Sequence, residues 1–109
     1  MLELLEKLNA RCGWDCVVKS YDGWRLCISS GLSVDYATPL AIFSGVSYLS
    51  CPMEFSHPRF RLASTNERKL VGRLVFLDEY DNVVAIEGET AANADPQVYF
   101  IVAQSGDLA

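Results

Sequence analysis

The sequence predicts an α+β fold: a single small domain, mostly antiparallel sheet, with an N-terminal helix, a second helix near residues 65–76 and the order α-β-β-β-β-α-β-β. Three observations carry that expectation. An amphipathic leucine pattern opens the chain, short runs of strand-forming residues separated by turn signals follow it, and a helix-capping signature interrupts those runs at Ser64.

In the first element Leu2, Leu5, Leu8 and Cys12 recur at three- and four-residue steps, Leu4 lies beside them, and Glu3, Glu6, Lys7 and Asn9 take the other face. This is a helix over residues 2–11 that Gly13 stops. Next, WDCVVKS and WRLCISS flank Tyr21-Asp22-Gly23, the pattern of a β-hairpin. With Asp22-Gly23 as a two-residue turn, Val18 faces Cys27 and Cys16 faces Ser29. Gly31 to Pro39 reads as turn-like. Leu40 to Phe43 and Val46 to Cys51 are two short apolar strands interrupted by Ser44-Gly45, where Gly45 signals a bulge or bend. Pro52 and Pro58 bracket a loop, and RFRLAS alternates apolar Phe60 and Leu62 with Arg59 and Arg61 as a half-buried strand does.

Ser64-Thr65-Asn66-Glu67 is a capping box, and Leu70, Val71, Leu74, Val75 and Leu77 fall on one helical face after it. Leu74 to Leu77 also fits a buried strand leading into a turn at Asp78 to Asn82; the capping box favours the helix. The chain ends with VVAIEGE, a polar link closing on Asp95-Pro96, and QVYFIVAQ, a strand apolar enough to lie centrally in a sheet. The expected arrangement places the helices on one face of that sheet.

Composition bounds the function. The 109 residues are half apolar and 21% charged, as in compact globular domains, and the whole chain, 1–109, reads as one domain with no repeat or linker. Apolar runs such as Val98 to Ala103 are too short to span a bilayer, and the opening MLELLEKLNARC lacks the pattern of a secretory signal. The expectation is a cytoplasmic protein with no membrane role. Its four cysteines are then free thiols, most simply small core hydrophobes.

Four constellations bear on chemistry. Cys51 and His57, with Tyr48 nearby, form a candidate reactive loop, because an imidazole beside a thiol can generate the thiolate that nucleophilic catalysis needs. No orienting group or oxyanion stabiliser accompanies them, and Cys51-Pro52 and His57-Pro58 have a structural explanation as extended steps into and out of turns. Cys12-x-x-x-Cys16 has loose zinc-ligand spacing but no second pair, so no metal is expected. The glycines are scattered and form no phosphate-binding loop, so no cofactor is expected either. Trp14, Tyr21, Trp24, Tyr36 and Tyr48 suit cross-strand packing better than a ligand pocket.

Charge is the more telling feature. Residues 59–73 hold five basic side chains and one acidic, whereas residues 74–109 hold seven acidic and no lysine or arginine. The net charge of −5 argues against nucleic acid as a partner. The leading expectation is a non-enzymatic protein–protein interaction module of the inhibitor or immunity type, in which Asp78, Glu79, Asp81, Glu87 and Glu89 meet a basic protein partner, with homodimerisation at a sheet edge as a lesser version. The alternative is a small-molecule-binding domain or minor Cys/His-dependent enzyme centred on Tyr48, Cys51 and His57.

Overall fold

A computed structural model describes residues 1–12, 15–30, 38–90 and 93–109. The stop at Gly13, the turn-like reading of residues 31–37 and the aromatic candidates Trp14 and Tyr36 lie outside the described residues. Within them the chain forms α1 (Leu2–Arg11), β1 (Asp15–Tyr21), β2 (Arg25–Ser30), β3 (Pro39–Ser44), β4 (Tyr48–Ser50), β5 (Glu54–Leu62), α2 (Thr65–Gly72), β6 (Asn82–Thr90), β7 (Asn93–Ala103) and β8 (Ser105–Leu108). Every strand pairing is antiparallel, in agreement with the expected class. The order corrects the sequence reading: among the described residues five strands precede α2 and three follow it, not four and two. Gly45 separates β3 from β4, the two short strands anticipated on either side of Ser44-Gly45. The last strand, Ser-Gly-Asp-Leu, has no apolar alternation to announce it and exists because β3 offers it backbone partners.

The pairing order is β4-β7-β6-β5-β1-β2-β3-β8. Its two ends are not open. β4 continues β3 after residues 45–47, β8 continues β7 after Gln104, and the registers Ser44↔Ser105 and Tyr48↔Val102 place both continuations side by side. Gln104 N–H donates to Ser44 O and Ser47 N–H to Val102 O, each at 3.0 Å, which joins the two ladders. β3–β4 and β7–β8 therefore act as two bent strands, and the sheet runs round to its start as a closed ring. At the bend Gly45 has φ +65°, and a Cβ there would stand 2.9 Å from the Gln104 side chain, so only glycine fits.

Inside the ring lies one apolar cluster that includes Cys16, Leu26, Ile28, Phe43, Phe55, Phe60, Ile86 and Ile101, with Leu5 and Leu8 of α1 sealed into it. Phe55 and Phe60 meet edge to face, ring centroids 6.3 Å apart. The Asn9 side chain ties α1 down: it accepts from Phe60 N–H and donates to Phe60 O, both at 2.7 Å, acting as one more rung beside β5.

The second helix lies elsewhere. Val71 packs with Val83 and Val102 on the outer side of the sheet, with Tyr48, Ala63, Val75, Leu77 and Phe100 around them. The helices thus occupy opposite sides of the sheet, not one face. The capping box forms as the sequence implies, with Ser64 Oγ accepting from Glu67 N–H at 3.2 Å and Glu67 Oε1 accepting from Ser64 N–H at 2.8 Å. The helix stops at Gly72, however, four residues short of the expected end, and Leu74 to Leu77 is neither helix nor strand.

Two further expectations are corrected. The first hairpin turns over Asp22 to Arg25, because Asp22 Oδ1 accepts from both Trp24 N–H and Arg25 N–H; with a register shift after Val18, Cys27 faces Ser20 and Cys16 faces Ser30. Cys16 then points into the core and Cys27 outward. The anticipated loop between the prolines is mostly strand: β5 begins at Glu54 and carries His57 and Pro58 in a bulge, where His57 takes φ +50°. A bulge is one of the few places in a strand that tolerates proline's missing donor. Finally, β7 begins at Asn93, so the anticipated polar link belongs largely to a strand.

Candidate functional site

Among the described residues, the region with most exposed apolar surface lies along α2 and the connection to β6. A helix two turns long covers only part of the outer face of β7 and β4. Beside it runs a groove of about 340 Å³ lined by Tyr48, Ser50, Leu70, Val71, Arg73, Leu74, Val98 and Phe100. Leu74 is 69% exposed, Phe76 86% and Tyr80 73%, with Leu70 and Val98 also on the surface. From Leu74 to Leu77 the side chains alternate, Val75 and Leu77 packing inward while Leu74 and Phe76 face solvent. A helical reading put Leu70 and Leu74 on a buried face. The available signal was Gly72, after which a period of two separates inward from outward residues.

The connection that carries these side chains is tied down. Arg68 reaches from α2 and donates to the carbonyls of Asp81 at 2.8 Å and Asp78 at 3.0 Å. Asp81 Oδ2 accepts from Asp78 N–H, and Asp78 Oδ1 accepts from the N–H groups of Tyr80 and Asp81. This reciprocal turn presents Asp78, Glu79 and Tyr80 to solvent while burying Asp81. Of the three acids proposed for this stretch, two are accessible and the third holds the turn together.

Glu87 and Glu89 are placed differently. Arg61 Nε meets Glu87 Oε1 at 2.7 Å, and the same guanidinium forms a two-pronged pair with Glu67 at 2.6 and 2.9 Å. Hydrogen bonds from Arg61 hold the Glu67 carboxyl down at about 2, and the two carboxylates hold Arg61 well above its usual range. Glu89 Oε2 lies 2.9 Å from His57 Nδ1. Both carboxylates therefore engage cationic or imidazole groups of β5, across the β5–β6 ladder, and stand apart from the turn at 78–81. The basic segment inferred from sequence is in part their counter-charge.

The reactive-loop candidates are separated. Tyr48 belongs to the outer groove, Cys51 packs against the interior cluster, and His57 sits in the β5 bulge facing Glu89. Burial alone pushes the Cys51 thiol up to about 11, with no contribution from an imidazole, so the protonated form prevails at neutral pH. Among the described residues no group of three or more His, Cys, Asp or Glu side chains is arranged to hold a metal ion. No helix among them is long and apolar enough to cross a membrane. Comparison with protein-family models, curated proteins and solved structures finds no match.

Proposed function

We propose that this domain is a non-enzymatic interaction module that docks a basic protein partner on the surface formed by the groove beside α2 and the turn at 78–81. The observation that supports the reading is the exposure of Leu70, Leu74, Phe76, Tyr80 and Val98 next to the exposed acids Asp78 and Glu79. An apolar centre with a charged rim is the composition of protein interfaces, where aromatic anchors supply most of the energy and rim charges set orientation. The partner's matching surface is apolar opposite the groove and rich in lysine or arginine opposite Asp78 and Glu79. A second copy of this chain is the poorer occupant: each carries a net charge of −5, and closure of the sheet leaves little open edge for strand pairing. An inhibitor or immunity role remains the reading by size and charge alone.

The test uses the immobilised chain against a cell extract, beside two surface variants, E79K and L74D/F76D, whose side chains lie outside the core; Asp78 is left in place because its carboxylate holds the turn. A protein recovered by the wild type and lost with both variants supports the reading. Identical recovery by all three overturns it. Sedimentation velocity adds the competing occupant: a dimer abolished by L74D/F76D replaces the basic partner with a second copy.

A further inference from the structure

Among the four cysteines, two meet. Cys12 caps the C-terminus of α1 and Cys16 is the second residue of β1, and their Sγ atoms lie 3.2 Å apart. We propose that Cys12 and Cys16 form a reversible dithiol–disulfide couple, oxidised by a small-molecule disulfide of the glutathione class.

The geometry divides the roles. Cys12 is partly exposed and Cys16 is fully buried, so an incoming disulfide reaches Cys12 first. Either thiol can donate across the 3.2 Å contact; with the Cys16 S–H as the donor, the Cys12 thiol is lowered from its usual value and that of Cys16 is raised, burial adding to the rise. An accessible thiolate stabilised by a buried thiol is the arrangement of an attacking and a resolving cysteine. The helix C-terminus works against charge on Cys12, so the hydrogen bond from Cys16 is what makes the thiolate accessible. Bond formation asks for the sulfurs to close from 3.2 Å to about 2.0 Å. Cys12 takes extended geometry, φ −65° and ψ 128°, outside the helical turn, which leaves its side chain free of the helix ladder.

The exchange balances in two steps. Cys12 Sγ, its proton lost, attacks one sulfur of oxidised glutathione, breaking that S–S bond and releasing one glutathione thiolate. Cys16 Sγ then loses its proton and displaces the second glutathione from Cys12, forming the Cys12–Cys16 bond. Two electrons pass from the protein to glutathione, and the two protons end on the two glutathione thiols. The bond joins the end of α1 to the start of β1. It tethers α1, whose Leu5 and Leu8 close the interior cluster, to β1.

The experiment equilibrates the reduced full chain with graded ratios of reduced and oxidised glutathione, quenches with an alkylating agent and reads intact mass and peptides. The expected product is lighter by two hydrogens, with labelling of Cys12 and Cys16 lost together and restored by reduction. C16A should take up glutathione on Cys12 more slowly than the wild type, because the stabilising S–H is gone, and should stop there, whereas C12A should leave Cys16 unmodified. A wild-type chain that keeps both thiols alkylatable, that holds glutathione on Cys12 beside a free Cys16, or that oxidises Cys27 or Cys51 first overturns the proposal. Because the wild-type measurement stands alone, poor folding of either variant does not protect the idea.

Discussion

The interior of the closed sheet and its outer face under α2 are both apolar, but only one is sealed. Inside, Phe43, Phe55, Phe60, Leu5 and Leu8 are each at most 1% exposed. Outside, the three-valine centre of Val71, Val83 and Val102 is equally buried, yet Leu70, Leu74 and Phe76 around it remain in water. The difference follows from shape. A ring of strands plugged by a ten-residue helix encloses its apolar side chains on every side, whereas an eight-residue helix laid on a curved sheet covers a strip and leaves its margins open. Stability is concentrated in the first region and free surface in the second.

Substitutions can break that contrast. The largest effect belongs to the ring interior: Phe43→Ala or Phe60→Ala should cost about 3–5 kcal/mol in urea unfolding. A cost near that of a surface change would mean that the ring is not the core. Removing the helix anchor with Asn9→Ala leaves Phe60 N–H and C=O without their partner and should cost about 1–3 kcal/mol, against little change for the exposed ion pair of Glu3 and Lys7.

On the outer face the effects are smaller and depend on pH. Glu67→Ala removes the carboxylate half of the capping box and the bridge to Arg61, leaving the Ser64 Oγ cap on the backbone, for about 1–2 kcal/mol at neutral pH. The Glu67 carboxyl sits below its ordinary value of 4.5, at about 2 in the folded chain, so its contribution is full above 4.5 and fades as pH falls toward 2. Unfolding of the wild type and Glu67→Ala from pH 7 to pH 2 should therefore converge, and a gap that persists at pH 2 would place the effect in packing. The smallest effect is expected at the open margin: Phe76→Ala should shift stability by less than about 0.5 kcal/mol while weakening recovery of a partner. A large loss of stability there would show that Phe76 is buried in a contact of its own.

The same two regions differ in how far they are legible from sequence. α1 was readable to the residue, because Leu5 and Leu8 recur against Glu3, Glu6 and Lys7 and the pattern is local. So was the capping box, a four-residue motif whose two hydrogen bonds close within the motif itself. The hairpin was readable but its register was not, since Asp22 widened the turn through its own carboxylate. The bulge at His57 and the strand at Ser105 to Leu108 carry no local signal, and both exist because a neighbouring strand pairs with them.

For the candidate site, the position of Asp78 and Glu79 on an exposed turn followed from the sequence, whereas the burial of Asp81 did not. Nor did the withdrawal of Glu87 and Glu89, which depends on β5 lying beside β6. Tyr48, Cys51 and His57 are close in the chain but belong to the groove, the interior and the bulge, because alternation and a change of strand send neighbouring residues in different directions. Cys12 and Cys16 show the reverse, a helix end and a strand start brought to 3.2 Å by the packing of α1.

Sequence by itself determined which segments are amphipathic, where the helices begin, the acidic bias of residues 74–109 and the α+β class, because periodicity, capping and charge are properties of short windows. Tertiary structure alone decided that the sheet closes, that the helices take opposite sides and that Leu74 and Phe76 stay exposed. Those outcomes rest on pairings between residues far apart in the chain, such as Ser44 with Ser105 and Tyr48 with Val102, whose free energy appears only when both strands are in place.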